Sequence, residues 1–181
     1  MKKILVMMAP GFEEIELTAP VDILRRLGVK VDLAGVSSAE VEGAHGLVMS
    51  ADVLLSEVKP EDYDGVVLPG GAASWLLRDT PVVLEVVRSM YGAGRLVAAI
   101  CAAPIALEAA GVLTGHKITC YPAEAVMADI VSVAGISAVP VVRDGQIVTG
   151  RGPGAALEFG FALGEYLGLE VETLRREMCC C

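Results

Sequence analysis

The segment Val97–Pro104 reads VAAICAAP, and it is the stretch that decides the fold. Its apolar residues continue from Leu96 to Ile100 without polar residues between them, which is typical of a strand covered on both faces of a parallel sheet. The run stops at Cys101, and Pro104 follows as a residue suited to the first turn of a helix. A buried strand followed at once by a helix indicates a doubly wound α/β architecture.

The rest of the chain repeats this alternation of strand and helix. Proline stands near the start of four helical segments and glycine follows most of their ends, as capping preferences require. We predict a mostly parallel sheet with helices on either side, in a single domain spanning residues 1–181. The predicted strands are 4–8, 30–35, 65–68, 96–100, 117–120, 141–142 and 146–149. The predicted helices are 13–27, 81–93, 104–110, 122–129 and 155–167.

Charge and hydropathy exclude several classes of partner. The formal net charge of -9 leaves no basic surplus, so binding to nucleic acid or to an anionic membrane through charge is not expected. The longest apolar stretch, residues 96–107, is too short to span a bilayer and contains a proline. The N-terminal MKKILVMM has a shorter apolar run than a signal peptide and is better interpreted as a strand. A small, neutral or weakly charged partner fits this chain better.

The five cysteines show no disulfide framework and no CxxC pair. We therefore expect a protein of the reducing cytoplasm. Three of them, Cys179, Cys180 and Cys181, are adjacent at the end of the chain. Such a run could hold a soft metal or form mixed disulfides, but adjacent ligands wrap one ion poorly, so we expect a frayed tail and no metal site.

Cys101 has two interpretations from its position alone. An immediate strand-to-helix bend exposes the central side chain at the top of the sheet, and the small neighbours Ala99, Ala102 and Ala103 would fit around it. A helix N-terminus would also lower the pKa of the thiol. However, free cysteine is among the most buried residue types. A nucleophile and a buried apolar residue both remain open at this point.

Gly70 and Gly71 end the second motif, VVLPGG. Two glycines after a strand allow the backbone to turn sharply and to point N–H groups into a concavity, which would serve as an oxyanion hole. Glycine pairs also close ordinary loops, so this signal is weak when taken alone.

Glu16 stands out by its helical spacing. It shares the apolar stripe of the predicted helix with Pro20 and Ile23, whereas Glu14 falls on the solvated face. Burial raises the pKa of a carboxyl group, so Glu16 could hold a proton and exchange it with a substrate. Alternatively, it is a partly exposed acid favoured by the helix dipole.

The chain contains two histidines, His45 and His116. His116 lies in the turn TGHK, where a surface position is predicted. Neither histidine is next to Cys101 in the sequence, so the Cys–His pair of a cysteine peptidase has no obvious second member.

Four motifs in order carry a resemblance that covers residue 3 to about residue 168. Together they resemble the ThiJ/PfpI superfamily, closest to its Parkinson disease protein deglycase branch, and leave about residues 169–181 uncovered. The resemblance implies a flavodoxin-like three-layer α/β/α sandwich, usually a homodimer, with no metal and no organic cofactor. The motifs are GFEEIELTAPVDILRRLG, VVLPGG, VAAICAAPIAL and RGPGAALEFG.

The resemblance also assigns roles to particular residues. The reactive cysteine of the family falls on Cys101, and the glutamate that hydrogen-bonds to it falls on Glu16. The backbone groups on the oxyanion side fall on Gly70, Gly71 and Ala102.

Two departures from the family pattern bear on the reaction. The peptidase branch has histidine directly after the cysteine, where this chain has Ala102, which argues against a peptidase. The human-type deglycase has histidine at the position of Tyr121, which leaves Tyr121 as a candidate donor to a carbonyl oxygen.

The resemblance implies a cofactor-independent cysteine enzyme of the glyoxalase or deglycase type. Its substrate would be a small 2-oxoaldehyde or a glycated adduct, with methylglyoxal converted to lactate. The main alternative is a non-enzymatic redox sensor or chaperone in which Cys101 is oxidised to the sulfinate. An α/β domain with an inert, buried cysteine is the remaining alternative.

Overall fold

The computed structural model describes residues 1–180 and has the predicted α/β architecture. No helix in this part of the chain combines the length and the apolarity needed to cross a membrane. The strands are β1 (Lys3–Met8), β2 (Lys30–Gly35), β3 (Glu40–Glu42), β4 (Val48–Ser50), β5 (Val53–Leu54), β6 (Gly65–Leu68), β7 (Leu96–Ile100), β8 (Lys117–Ile118), β9 (Gly135–Ile136), β10 (Val141–Asp144) and β11 (Ile147–Gly150). The helices are α1 (Glu14–Arg26), α2 (Ala73–Asp79), α3 (Pro81–Gly92), α4 (Pro104–Ala109), α5 (Glu124–Ala128), α6 (Ala156–Tyr166) and α7 (Glu172–Glu177).

The central sheet has seven strands in the order β10-β11-β7-β6-β1-β2-β5. All neighbouring strands are parallel except the β10–β11 hairpin. Near the carboxyl ends, Leu68 pairs with Ala99 and Gly150 pairs with Ile100. The segments that follow β6, β7 and β11 therefore meet at one edge of the sheet, where ligands bind in open α/β folds.

The sheet is buried between two helical layers. Every residue of β6 and β7 is buried, as their continuous apolar sequences predict. On one side α1 packs against α6 so closely that a Cβ at Gly160 would lie 2.7 Å from Ile23 Cδ1. Helix α2 packs against α3 and α4 in the other layer. This is the three-layer sandwich that the resemblance implies.

The predicted strand at 117–120 is wrong in its extent and its pairing. Only Lys117 and Ile118 are extended, and they pair with β9 outside the central sheet. The Thr119 N–H donates instead to the Thr149 hydroxyl at 2.9 Å, which takes the chain out of strand geometry. The short strands β3, β4, β5 and β9 and the helices α2 and α7 were not predicted.

The C-terminal segment is tied to the domain. Helix α7 buries Leu174 in a small apolar cluster with Phe161. The N–H groups of Cys179 and Cys180 donate to carbonyls of the last turn of α7 at 3.1 and 2.9 Å. The expectation of a frayed tail is therefore wrong for these two cysteines, because backbone hydrogen bonds continue the turn, and Cys181 lies outside the described residues.

Candidate active site

Cys101 occupies a strained bend immediately after β7. Its φ angle is 64°, in the left-handed region that disfavours any residue with a side chain. Its N–H donates to the Gly150 carbonyl at 2.9 Å, and its own carbonyl accepts from the Tyr121 N–H at 2.9 Å. Hydrogen bonds on both sides thus hold the strained backbone, as is common at functional sites.

The glycine pair after β6 lies against the segment that leads into α1. The Glu13 N–H donates to the Gly70 carbonyl at 3.1 Å, and Phe12 and Gly71 form a β-bridge. Gly71 has a φ angle of 81°, and a Cβ there would lie 2.6 Å from the Glu13 nitrogen. Only glycine fits this close approach, which brings the start of α1 to the carboxyl edge of the sheet.

Glu16 is fully buried beside Cys101, on the apolar face predicted for it. Its Oε2 accepts a hydrogen bond from the Gly70 N–H at 3.0 Å. A Cβ at Gly70 would collide with Glu16 Oε2 and would lie 2.6 Å from Cys101 Cβ, so the three residues are in direct contact. Glu16 Oε1 has no hydrogen-bond partner among residues 1–180.

The Gly70 amide has a different role from the one that the resemblance implies. Its N–H is occupied by Glu16, so it orients the carboxyl group instead of facing an oxyanion. The backbone N–H groups of Gly71 and Ala102 favour the Cys101 thiolate and act to lower the pKa of the thiol. These two amides are the available donors for a thiolate or for an oxyanion formed beside it.

The thiol and the carboxyl group strongly perturb each other. Burial, helped by the nearby charge of Glu13, raises the pKa of Glu16 to about 7. Burial and the Glu16 carboxylate raise the pKa of Cys101 to about 12, against the effect of the two amides. The expected lowering of the thiol pKa by a helix N-terminus is therefore wrong, because burial and the nearby Glu16 carboxylate both oppose ionisation of the thiol.

Cys101 and Glu16 consequently hold one negative charge between them, because the first charge opposes ionisation of the second group. When Glu16 holds a proton, its charge no longer opposes ionisation of Cys101. The amides of Gly71 and Ala102 then remain to stabilise the thiolate. At neutral pH this charge lies on the Glu16 carboxylate, so formation of the thiolate requires transfer of the thiol proton to Glu16.

Tyr121 lies next to the bend at Cys101, but its side chain lines a separate cavity. Its backbone N–H contacts the Cys101 carbonyl, and its half-exposed side chain lines a cavity of about 380 Å³ together with Arg151. The structure therefore brings Cys101, Glu16, the glycine pair and Ala102 together, with Tyr121 at their border.

Glu14 is buried, contrary to the prediction that it lies on a solvated face. The loop at residues 43–47 covers it, and its Oε2 lies 2.8 Å from His45 Nδ1 while its Oε1 accepts from the His45 N–H at 2.6 Å. Burial alone would raise the pKa of Glu14, but the bonds from His45 and from the Leu47 amide lower it to about 2. The pKa of His45 is raised in return.

Sequence reasoning missed Glu13 as a member of this group. Its Oε2 lies 3.5 Å from His45 Nδ1, and its charge contributes to the raised pKa of Glu16. In the described part of the chain, the side chains of Glu13, Glu14 and His45 place one ligand atom each within 4.8 Å of one another. Their donor types suit a divalent cation, but their mutual ion pairs already account for the arrangement. The only sequence signal was the adjacent acids in GFEE.

Neither histidine is hydrogen-bonded to Cys101. His45 pairs with Glu14, and the His116 Nε2 lies 2.9 Å from the Tyr91 hydroxyl. His116 is half-buried there, so its predicted surface position is only partly correct. The Cys–His arrangement of a cysteine peptidase is not present at this thiol.

Comparison with known proteins identifies the family of this chain. The sequence profile of the DJ-1/PfpI family matches residues 2–166. The chain belongs to the DJ-1/PfpI family. The Parkinson disease protein 7 homolog of Danio rerio is 38% identical over 178 residues, which cover 94% of this chain and 92% of that protein. The resemblance to the ThiJ/PfpI superfamily is thereby confirmed.

Other members of the DJ-1/PfpI family extend the comparison to structure and to activity. The crystal structure of Drosophila melanogaster DJ-1beta superposes with a TM-score of 0.92 at 36% identity, and the match covers 98% of this chain and 97% of that one. This similarity confirms the flavodoxin-like sandwich. A protein from Pyrococcus abyssi that is named a deglycase is 36% identical over 154 residues, covering 84% of this chain and 91% of that protein.

Proposed function

We propose that this chain is a cofactor-independent cysteine enzyme that acts on 2-oxoaldehydes or their adducts. The observation that carries the proposal is the contact between the strained Cys101 and the fully buried Glu16, whose pKa is raised to about 7. A group with such a pKa exchanges protons efficiently at neutral pH. Family membership and the deglycase name of a relative support the same activity.

In the first step, the Cys101 thiol passes its proton to the Glu16 carboxylate, and the sulfur attacks the aldehyde carbon of methylglyoxal. A C–S bond forms, the carbonyl π bond breaks, and the Gly71 and Ala102 amides stabilise the resulting oxyanion. Protonated Glu16 then gives its proton to this oxygen, which yields a neutral hemithioacetal and leaves Glu16 as a carboxylate.

In the second step, the Glu16 carboxylate removes the proton from the former aldehyde carbon. The hydroxyl proton of the first carbon passes to the ketone oxygen through an enediol, and Glu16 returns the abstracted proton to the ketone carbon. The first carbon is thereby oxidised to a thioester and the second is reduced to an alcohol. Water hydrolyses the thioester to lactate and frees the thiol. The redox change is internal to the substrate, so no external electron carrier enters the balance.

The test is lactate formation from methylglyoxal in the absence of glutathione. We expect the wild-type chain to form lactate and Cys101→Ser to form only the background amount. Cys179→Ser is a matched control, because Cys179 is an exposed cysteine away from the bend. Equal lactate from the wild type and Cys101→Ser would refute the proposal.

A redox sensor is the second candidate function, favoured by the unpartnered Glu16 Oε1. A protonated carboxyl group at this position could donate to a sulfinate oxygen on Cys101 and stabilise the oxidised state. Intact-mass analysis after graded peroxide should then show two oxygens added at Cys101 before any other site. Equally fast oxidation of Cys179 would argue against a sensor.

We also propose that the chain works as a homodimer, folded as a single domain in the cytoplasm. The resemblance suggests the dimer, and the exposed apolar side chains of Ile15, Leu47 and Val48 support it. Cytoplasmic localisation rests on the lack of a disulfide framework, and it stays a prediction.

A further inference from the structure

Thr149 and Thr119 are fully buried threonines that have no part in the chemistry above. The Thr149 hydroxyl accepts a hydrogen bond from the Thr119 N–H at 2.9 Å. The other residues of β11 are isoleucine, valine and glycine, and valine has nearly the shape of threonine. A buried parallel strand favours apolar residues, and a buried hydroxyl group costs free energy unless it is bonded. Packing alone therefore does not explain the hydroxyl group of Thr149.

The bond to Thr149 fixes the position of the segment that follows Thr119. The Thr119 hydroxyl donates to the Val139 carbonyl at 3.0 Å, so this residue is held on two sides. Two residues further along the chain, the Tyr121 N–H donates to the Cys101 carbonyl at 2.9 Å. The bond at Thr149 therefore determines how the Tyr121 amide meets the cysteine bend.

The same end of β11 also holds the other side of the bend. The Cys101 N–H donates to the Gly150 carbonyl at 2.9 Å, and Gly150 directly follows Thr149. Hydrogen bonds and short stretches of chain thus form a closed ring through β11, residues 119–121 and the bend. Without the Thr149 hydroxyl this ring opens, and the Thr119 N–H is left buried without that acceptor. Segment 119–121 must then shift, because an unsatisfied buried N–H costs more than a hydrogen bond stabilises.

The ring also sets the direction of a donor in the active site. The Cys101 carbonyl and the Ala102 N–H belong to one peptide group, and in a planar trans peptide group the C=O and the N–H point in opposite directions. The Tyr121 N–H on the Cys101 carbonyl therefore also fixes the direction of the Ala102 N–H. That N–H is one of the two backbone donors that favour a negative charge on the sulfur.

We propose that Thr149 and Thr119 form a clamp that orients the Ala102 N–H toward the oxyanion formed at Cys101. Both are positioning residues in this assignment, because they act through Tyr121 and through the peptide group between Cys101 and Ala102. The assignment rests on the proposed function of Cys101. An oriented donor stabilises the oxyanion and not the free aldehyde, so its loss lowers kcat and leaves KM nearly unchanged.

The kinetic test replaces the Thr149 hydroxyl by a methyl group. Lactate formation from methylglyoxal is measured for the wild type, for Thr149→Val and for Thr149→Ser, which keeps the hydroxyl. Complete removal of an oxyanion donor costs about 100- to 1,000-fold in kcat. Thr149→Val loosens the donor without removing it, so we expect kcat to fall by roughly 10- to 100-fold, with KM within about 2-fold of the wild-type value. Thr149→Ser should recover most of this loss.

A second threonine controls for the substitution itself. Thr80→Val removes a hydroxyl that donates to the Leu76 carbonyl at 2.6 Å, at the junction of α2 and α3. We expect this variant to have the wild-type kcat. Urea denaturation of the same samples shows that each variant is folded under the conditions of the assay.

Amide hydrogen exchange tests the clamp without any turnover. The bond to the Cys101 carbonyl protects the Tyr121 amide, so a looser segment exchanges faster. We expect exchange at Tyr121 to be roughly 10-fold faster in Thr149→Val than in the wild type or in Thr149→Ser. The Val97 amide, which donates to the Gln146 carbonyl at the other end of β7, reports opening of the whole domain and should change less.

The clamp and the proposed function fail in different ways. Faster exchange at Tyr121 in Thr149→Val, with no lactate from the wild type, would sustain the coupling of Thr149 to the bend and overturn the proposed function. Wild-type kcat in Thr149→Val would overturn the clamp and leave the proposed function intact. A loss of kcat that Thr149→Ser does not recover, or an equal rise in exchange at Tyr121 and Val97, would assign Thr149 to stability alone and overturn the clamp.

Discussion

At the scale of single residues, Glu16 is a carboxyl group that folding transfers from water to a fully buried position beside a thiol. Its pKa rises from the ordinary 4.5 to about 7, so between these values the folded protein binds a proton that the unfolded chain has released. The contribution of Glu16 to stability is therefore greatest below pH 4.5 and declines as the pH rises to about 7.

Glu16→Gln should remove this pH dependence. The free energy of unfolding of the variant, relative to that of the wild type, is expected to increase by on the order of 3 kcal/mol from about pH 4.5 to about pH 8. Urea denaturation across this range measures the difference. Glu124→Gln changes an exposed glutamate and should show no such trend. A constant difference between wild type and Glu16→Gln would contradict the raised pKa.

Gly70→Ala tests the close contact of the site by adding one methyl group. Its Cβ would collide with Glu16 Oε2 and lie 2.6 Å from Cys101 Cβ, so the carboxyl group or the bend must shift. We expect a loss of stability of about 1–3 kcal/mol and a large fall in lactate formation. Gly92→Ala is the matched control, because a Cβ there meets no atom within 4 Å. Full activity in Gly70→Ala would show that this contact is dispensable.

At the scale of secondary-structure elements, local patterns predicted the site better than they predicted its surroundings. The strand β7, the bend at Cys101 and the buried position of Glu16 follow from apolar runs and from helical spacing within a few residues. Strand β8 has only two residues and pairs with β9. A strand this short shows no alternation of apolar and polar residues from which its ends could be predicted. Helix α2 begins two residues after Gly71 and was not predicted.

Long-range contacts account for the remaining errors. Glu14 was predicted to be solvated because helical spacing treats a helix as an isolated cylinder with one apolar face. The loop carrying His45, 31 residues further along the chain, covers that position and supplies its hydrogen bonds. Likewise, the position of Gly70 against Glu16 spans 54 residues. Spacing within one element carries no information about such pairs.

Helix α7 is expected to contribute to stability and not to catalysis. Leu174 is buried on this helix against Phe161, so Leu174→Ala should cost about 2 kcal/mol, at the low end of the range for buried leucine. Arg176→Ala, on the exposed side of the same helix, should change the unfolding free energy by less than about 0.5 kcal/mol. Urea denaturation and lactate formation measured on the same samples separate the two effects. An unchanged unfolding free energy in Leu174→Ala would mean that α7 is not docked.

At the scale of the whole molecule, one surface combines exposed apolar side chains with the edge of the active site. Ile15, Leu47 and Val48 are all more than half exposed, and Ile15 and Leu47 border the same depression as Glu13 and His45. Apolar side chains grouped in this way mark interaction surfaces more often than isolated ones do. A second copy of the chain bound there would also cover the ion pair of His45 and Glu14.

Leu47→Glu should weaken this dimer, because association would bury an unpaired charge. We expect its molar mass, measured by light scattering coupled to size exclusion, to shift toward that of the monomer while the wild type remains dimeric. Val131→Glu introduces the same charge at another exposed apolar position and should leave the mass unchanged. A monomeric wild type, or an equal response of both variants, would rule out this surface.

The left-handed backbone at Cys101 also bears on how this protein could be altered by selection. Every L-residue with a side chain is disfavoured there by roughly 1–2 kcal/mol, and glycine is not. The replacement that relieves this strain is therefore one that carries no nucleophile. Selection for relief of backbone strain alone would favour Cys101→Gly, so the persistence of cysteine in an evolving population would itself report a demand for its reactivity.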